Sequence, residues 1–208
     1  MFGFDLMSMI AGLPGLIIAM VIHEYAHARV AVAMGDFTPR MMGRLTLNPA
    51  AHIGPIGLIM LLVVQFGWAK PVMINPANFR DRRKGDMLVS LAGPGANLIM
   101  AFLALAFMVV YMKMGFPLTR GFRMVLYLIV LYNINFAIFN MIPLPPLDGS
   151  KVLMAFLPNE WQYKLMSLER YSFMILIVLM MTPVLGAILI PLQRLILNIF
   201  YMILGIIF

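Results

Sequence analysis

The chain has 208 residues, of which 63% are hydrophobic and only 11% are charged. Soluble domains usually contain about 25% charged residues, so this composition excludes a soluble protein and predicts a membrane protein. The formal charge of +7 is attributed to Lys and Arg residues that flank membrane spans, and no nucleic-acid partner is expected. Because the chain contains no Cys, any zinc site has to use His and carboxylate ligands.

Long apolar runs predict an all-α polytopic membrane protein with five to six transmembrane helices. The first helix is expected over residues 6–34 and should end at Gly35-Asp36. A semi-polar stretch between Asp148 and Arg170 is expected at the membrane interface. The later helices are predicted at residues 86–112, with an interruption near Gly93-Pro94-Gly95, at 122–141, and at 171–190 and 192–207, divided around Pro191 to Arg194.

Three segments that follow the first helix do not fit a crossing helix. Residues 37–53 and 67–84 are rich in Pro and polar side chains, which favours a small β-like, membrane-associated segment. The apolar run from Ile56 to Phe66 is too short to cross about 30 Å of hydrocarbon as a helix. We therefore predict that it is re-entrant or half-spanning.

The basic residues predict an orientation. With five main spans and the N-terminus outside, eleven of the fifteen Lys and Arg residues fall on the cytoplasmic side, and Lys113, Arg120, Arg123 and Arg194 fall outside. The positive-inside rule favours this arrangement, with the C-terminus inside. One domain is expected over residues 1–208, with a core over about 6–155 and closing helices over about 168–208.

The sharpest motif is His23-Glu24-Tyr25-Ala26-His27, an H-E-x-x-H on the first predicted helix. Residues four apart lie on one face of a helix, so both imidazoles can meet one metal ion. This spacing is a known metalloprotease signature, in which the glutamate acts as the general base. Three ionisable residues at membrane depth need partners, and a metal ion with enclosed water would provide them.

A catalytic zinc ion usually has three protein ligands and an open position for water. Asp148 is the candidate third ligand, because it follows a predicted span within the proline-rich sequence Asn140 to Gly149. Three prolines there exclude a regular helix, and exposed backbone at membrane depth is tolerated only within protein or beside a cavity. Asp148-Gly149 could also be a simple turn.

These motifs together resemble the site-2 protease family of intramembrane zinc metalloproteases. The resemblance rests on His23, Glu24 and His27, on Leu147-Asp148-Gly149, and on Ala92-Gly93-Pro94-Gly95-Ala96-Asn97. The tract from Phe66 to Val72, followed by Asn75-Pro76, is similar to the family as well, so that about residues 12–155 are covered. The chain has no room for PDZ or cystathionine-synthase-like domains, and it therefore resembles the small branch that lacks them.

The resemblance implies one zinc ion per chain, with His23, His27 and Asp148 as ligands and Glu24 as the catalytic base. The implied substrates are transmembrane proteins in a prokaryotic cell membrane, cut within or beside the lipid. The active site would open towards the cytoplasm. The stretch from Trp68 to Ile74 could bind an unwound substrate by strand addition.

Two further residues are candidates with open roles. Asn97 could hold the substrate or stabilise an oxyanion, or it could form a hydrogen bond between helices. His52 could approach the metal or control access to it, or it could be a hydrogen-bonded structural side chain. The alternative function is a membrane metal transporter or sensor without hydrolytic activity, because intramembrane His and Asp also line ion paths.

Overall fold

A computed structural model describes residues 6–54 and 70–207 of the chain. All regular elements within these two stretches are helical, as predicted. The helices are α1 (Leu6–Met34), α2 (Thr38–Met41), α3 (Pro49–His52), α4 (Arg82–Lys113), α5 (Arg120–Asn140), α6 (Asp148–Met154), α7 (Asn159–Ser167), α8 (Glu169–Met181) and α9 (Val184–Ile207), with a 3₁₀ turn at Pro76–Asn78.

Four of the described helices are long and apolar enough to cross a membrane, namely α1, α4, α5 and α9. This confirms an integral membrane protein with several spans. The helix α8 has 13 residues, which at 1.5 Å per residue gives about 20 Å and falls short of the hydrocarbon thickness. The described residues therefore contain four full-length candidate spans rather than the predicted five to six.

The end of the first helix is as predicted: α1 finishes at Met34, and Gly35 follows with a φ of +114°. Two predicted interruptions are wrong, because Pro94 lies inside α4 and Pro191 lies inside α9. Proline removes one backbone hydrogen bond from a helix, and long membrane helices tolerate this loss when neighbouring groups compensate. The closing helices are instead divided at Thr182, which is extended, as residues before proline tend to be.

The predicted β-like segments contain no strand within the described residues. The short helices α2 and α3 occupy much of residues 37–53, and each has a proline in its first turn. Proline is favoured at that position because its missing N–H has no partner there. Residues 70–75 have no regular structure. The predicted half-span from Ile56 to Phe66, and residues 67–69, lie outside the described residues.

The centre of the molecule is formed by α1, α4 and α5, which pack against one another. Small and branched side chains such as Ala101, Leu105, Val130 and Ile134 are fully buried between α4 and α5. The helix α9 lies at the periphery, since only 6% of its 18-residue apolar stretch is buried. A hydrogen bond of 2.7 Å from Gln193 Nε2 to Asn135 Oδ1 joins α9 to α5.

Candidate metal centre

Three buried donor side chains converge inside the helical bundle. His23 and His27 lie one turn apart on α1, and Asp148 is the first residue of α6. The Nε2 atoms of the two histidines are 2.9 Å apart, and Oδ2 of Asp148 lies 3.1 Å from each of them. The spacing predicted from H-E-x-x-H thus places both imidazoles at one point, and a residue 121 positions away completes the group.

The surrounding hydrogen bonds fix the protonation of both imidazoles. Nδ1 of His27 lies 2.7 Å from the carbonyl oxygen of Val89, and a carbonyl only accepts, so this Nδ1 carries the hydrogen. The amide nitrogen of Asn97 donates to the Ala19 carbonyl at 2.9 Å. Its oxygen therefore faces Nδ1 of His23 at 2.8 Å and accepts a hydrogen bond from it.

With the hydrogens on Nδ1, each neutral imidazole presents an unshared electron pair on Nε2. These two pairs and the carboxylate oxygen of Asp148 occupy one small volume and repel one another unless a cation lies between them. A cation between these donors would favour the ionised form of Asp148. The ionised form is the one that binds a metal ion.

The donor set fits zinc. Ligands placed about 2.0–2.1 Å from a tetrahedral zinc ion are roughly 3.3 Å from one another, close to the separations between the donors of His23, His27 and Asp148. Metal-binding histidines typically donate their second N–H to a protein acceptor, and both do so here. Two histidines and one carboxylate also suit non-haem iron, so donor chemistry alone does not choose the metal.

The short helix that carries Asp148 is held at its C-terminal end by Arg83. Leu147 is extended and precedes the first turn of α6. At the other end, the guanidinium of Arg83 donates to the carbonyls of Ala155 and Leu157, the latter at 3.1 Å. A cation at the C-terminal end of a helix satisfies free carbonyls and complements the helix dipole. Arg83 therefore holds α6 against the start of α4, in addition to its predicted contribution to topology.

The close approach of α4 to α1 depends on Gly93. A Cβ atom at this position would lie 2.6 Å from Cε1 of His23 and 2.7 Å from Cε1 of His27, well inside van der Waals contact. The absence of a side chain thus lets the backbone of α4 pack directly behind both imidazoles. By contrast, a Cβ atom at Gly95 would meet nothing within 4 Å.

Glu24 is buried beside the histidines on α1. Its Oε2 accepts a hydrogen bond of 2.9 Å from the backbone N–H of Val72. Among the described residues, Oε1 has no hydrogen-bond partner, so this oxygen remains available to a substrate or water. The carboxylate is therefore held on one side and open on the other.

Neither Asn97 nor His52, the two residues whose roles were left open, belongs to the group of converging donors. Both amide hydrogens of Asn97 are used, by the carbonyl of Ala19 and by Oδ1 of Asn133 at 2.9 Å, which favours a role in orienting His23 over direct contact with a substrate. His52 is buried, and its Nε2 donates to the Thr46 carbonyl at 2.7 Å. Within the described residues it is not one of the grouped donors, which favours a structural role.

Sequence reasoning missed three residues that touch the site. The carbonyl of Val89 and the N–H of Val72 are backbone groups, and no side-chain pattern identifies them. Asn133 did carry a signal, because a polar residue in an apolar helix such as α5 usually faces the bundle interior and has a partner.

An apolar cavity of about 400 Å³ lies between α4, α5 and α9, beside the turn of α4 that supports the histidines. The described residues that line it carry no polar side chain. The cavity can accept apolar groups and is a poor route for water. Its lining residues are Pro94, Leu98, Ala137, Ile138, Met141, Ile142, Pro143, Ile188, Leu192 and Ile196.

Membrane-length helices that enclose an H-E-x-x-H motif and a buried carboxylate define a membrane metalloprotease. Comparison with known proteins agrees. The model of peptidase family M50 matches residues 111–183. A Bacillus subtilis protein named "Putative zinc metalloprotease YwhC" is 39% identical over 172 residues, which cover 81% of this chain and 78% of that protein.

A second relative, "Putative zinc metalloprotease Rip2" of Mycolicibacterium smegmatis, is 31% identical over 178 residues, covering 83% of this chain and 67% of that protein. The protein of the same name from Mycobacterium tuberculosis strain H37Rv is 30% identical over 179 residues, with the same two coverages. No solved structure gives a significant match. The chain belongs to peptidase family M50, the site-2 proteases.

This membership makes the chain an intramembrane zinc metalloprotease of a bacterial membrane, with membrane proteins as its substrate class. It also resolves the choice between zinc and iron in favour of zinc. The comparisons give no support to a transporter or sensor.

We predict that replacing Gly93 by Ala weakens zinc binding, because the added methyl group displaces both imidazoles. Outer-sphere changes typically reduce metal affinity about 10- to 100-fold, and a loss in this range is expected in a competition titration with a chromogenic chelator. Gly95→Ala is the matched control, since it adds the same methyl group to the same helix in open space. Equal zinc affinities of the two variants would contradict the close approach.

Proposed function

We propose that His23, His27 and Asp148 hold the zinc ion and that Glu24 is the catalytic base, so that the chain hydrolyses peptide bonds within or near transmembrane segments. The observation that carries this proposal is the convergence of three buried donor atoms, Nε2 of His23, Nε2 of His27 and Oδ2 of Asp148, at 2.9–3.1 Å inside an apolar bundle. Zinc bound there supplies a Lewis acid that activates water and polarises the scissile carbonyl.

The protein contributes proton transfer and orientation. Oε1 of Glu24 accepts the proton of the attacking water, because Oε2 is engaged by the N–H of Val72. The same carboxyl group then delivers that proton to the leaving amine. Asn97 and the Val89 carbonyl accept hydrogen bonds from the two Nδ1 atoms. They thereby leave both Nε2 atoms unprotonated and hold both rings in a fixed orientation.

A transmembrane substrate has its peptide bonds engaged in helical hydrogen bonds, so it must unwind before attack. We propose that residues 70–75, which have no regular secondary structure, bind the unwound segment in an extended conformation by strand addition. The N–H groups of Lys70 and Val72 turn inward, towards the His52 carbonyl and Glu24. Successive backbone N–H groups of an extended segment point to opposite sides, so in this arrangement the N–H of Met73 faces outward.

For the orientation, we propose that α1 runs from outside to inside, that α8 is a fifth, short span and that the site opens to the cytoplasm. Support comes from the positive-inside count and from the basic residues Arg80, Arg82, Arg83 and Lys84 at the start of α4. The tilt and local bilayer thinning that short spans use could accommodate α8.

The central test compares zinc content and cleavage in wild type, Glu24→Gln and Asp148→Ala. Glu24→Gln should keep about one zinc ion per chain, because no ligand changes, while cleavage falls at least about a hundredfold through loss of the base. Asp148→Ala should lose zinc after dialysis against a chelator, because only two protein ligands remain.

Zinc is measured by elemental mass spectrometry on detergent-purified protein. Cleavage is measured with fluorogenic single-span peptides whose apolar span contains an Asn-Pro-Gly break, and helix content by circular dichroism controls for folding. Normal cleavage by Glu24→Gln would eliminate Glu24 as the base. Zinc that survives in Asp148→Ala would require another third ligand.

For strand addition, Met73→Pro should raise KM by about tenfold or more, because it removes the outward N–H and with it one or two hydrogen bonds to the substrate. Its kcat should change much less, since the N–H of Val72 that holds Glu24 is kept. Met73→Ala is the control, because it alters the side chain and keeps the N–H. An unchanged KM in Met73→Pro would exclude pairing at this edge.

The orientation can be tested with single cysteines, because the native chain has none. We expect a membrane-impermeant maleimide to label Glu160→Cys only from the cytoplasmic side and Met114→Cys only from the outside. Met181→Cys, between α8 and α9, should also be labelled from outside if α8 crosses. Labelling of Met181→Cys from the cytoplasmic side would show that α8 does not span.

A further inference from the structure

A buried carboxylate lies just beyond the end of α1 and is used by no step described above. Asp36 is fully buried. Its Oδ1 accepts hydrogen bonds from the backbone N–H and the hydroxyl of Thr38, at 3.1 and 2.6 Å, and from Nδ2 of Asn78 at 2.8 Å. Its Oδ2 accepts a 2.7 Å hydrogen bond from the backbone N–H of Asn75.

These contacts join α1 to a segment that we call the strap, residues 70–79. Burial raises the pKa of Asp36, but the donors from Thr38, Asn75 and Asn78 hold that pKa below its ordinary value. The carboxylate is therefore ionised at neutral pH, and hydrogen bonds to charged acceptors are stronger than those between neutral groups. Two of its four donors come from the strap.

Apolar packing and backbone bonds hold the same part of the strap. Phe79 is buried in a cluster with Ala31 of α1 and Val89 of α4, and Ile74 packs against it. Just past the strap, the N–H of Arg80 donates to the last carbonyl of α1 at 3.3 Å. The C-terminal half of the strap is thus fixed to the same helix that carries the H-E-x-x-H motif.

The N-terminal end of the strap is held separately. The N–H of Lys70 donates to the His52 carbonyl at 2.7 Å, and the guanidinium of Arg44 donates to the carbonyl of Lys70 at 3.4 Å. Val72 lies between this anchor and the one at Asn75. Its N–H is the donor that holds Oε2 of Glu24.

We propose that Asp36 is a positioning residue for peptide hydrolysis, which holds the strap so that the N–H of Val72 fixes the carboxylate of Glu24. This inference rests on the proposed role of Glu24 as the base. Glu24 has three rotatable bonds, and one fixed oxygen aims the other at the reacting water. Release of Asn75 from Asp36 would free the strap three residues from Val72, and Glu24 would then sample unproductive orientations.

Asp36→Asn is the informative variant. Its amide oxygen can still accept from Thr38 and Asn78, but its NH₂ group then faces the N–H of Asn75, and two donors cannot bond. The substitution therefore releases the strap with little change in volume. Asp81→Asn is the matched control, because Asp81 is an exposed aspartate that caps α4 through the N–H of Lys84, and asparagine caps equally well.

Three quantities are measured on zinc-loaded protein in detergent: zinc per chain, hydrogen–deuterium exchange of the Val72 amide, and kcat on the fluorogenic single-span peptide at saturation. In Asp36→Asn we expect unchanged zinc, faster exchange at Val72 and a kcat about tenfold lower, the effect of losing roughly one charge-assisted hydrogen bond. Asp81→Asn should match wild type in all three. Normal kcat despite faster exchange, or a fall in kcat that follows zinc loss, would overturn the inference.

A double-mutant cycle separates positioning from general destabilisation. Val72→Pro removes the N–H that contacts Glu24, so Asp36→Asn should lower kcat little further in that background. Additive losses would mean that Asp36 acts by another route. If Asp36→Asn does not fold, Asn78→Ala removes one strap contact from the exposed side, and it must show the same pattern with smaller changes or the inference fails.

Glu24→Gln, measured in parallel, distinguishes the two proposals. If Glu24→Gln cleaves normally, the base assignment fails, and the inference fails with it. If Glu24→Gln is inactive with zinc bound while Asp36→Asn resembles wild type, the inference alone is wrong.

Discussion

The site depends on one electrostatic requirement: two imidazoles must present unprotonated Nε2 atoms to the same point beside a carboxylate. In water these side chains would rotate apart at little cost in free energy, because solvent would satisfy each polar group. Inside an apolar bundle each Nδ1–H needs a protein acceptor, and an unpaired polar group there is costly. The Val89 carbonyl and Asn97 supply the acceptors, and so they fix both the tautomer and the ring orientation before metal binds.

That requirement dictates how the helices pack. Both acceptors come from α4, so α4 must approach α1 closely along the turn that contains the histidines, and Gly93 provides the space. Asn97 is in turn held by the Ala19 carbonyl and Asn133, which extends the network from α1 through α4 to α5. The three central helices are thus joined by polar groups at the depth where lipid offers none.

The sequence predicted the parts of this arrangement that depend on local rules. The extent of the first helix follows from a continuous apolar run ended by Gly35, and the pairing of His23 with His27 follows from helical spacing. The residues alone left Asp148 as either a ligand or a turn, and the family resemblance implied that it joins the histidines. The interruptions predicted at Pro94 and Pro191 are wrong, because a proline marks a break in water-exposed helices more reliably than in long apolar ones. The role of Asn97 depends on which neighbour its amide faces, and the Val72 N–H has no sequence signature at all.

The elements that restrain each group of the site differ in how easily they can move, and this difference shows which group a partner or substrate could reorient. The helix α1 is continuous over 29 residues, so the proposed catalytic groups on it are adjusted mainly by their side-chain torsions. Each group is restrained from a different element: the imidazoles by α4, Asp148 by α6 with Arg83, and Glu24 by the strap. Among these described elements the strap is the least regular in backbone, and segments with few backbone hydrogen bonds open most easily. The proposed zinc ligands are therefore held by the stable bundle, while the orientation of Glu24 depends on the segment that a partner or substrate could move with the smallest loss of structure.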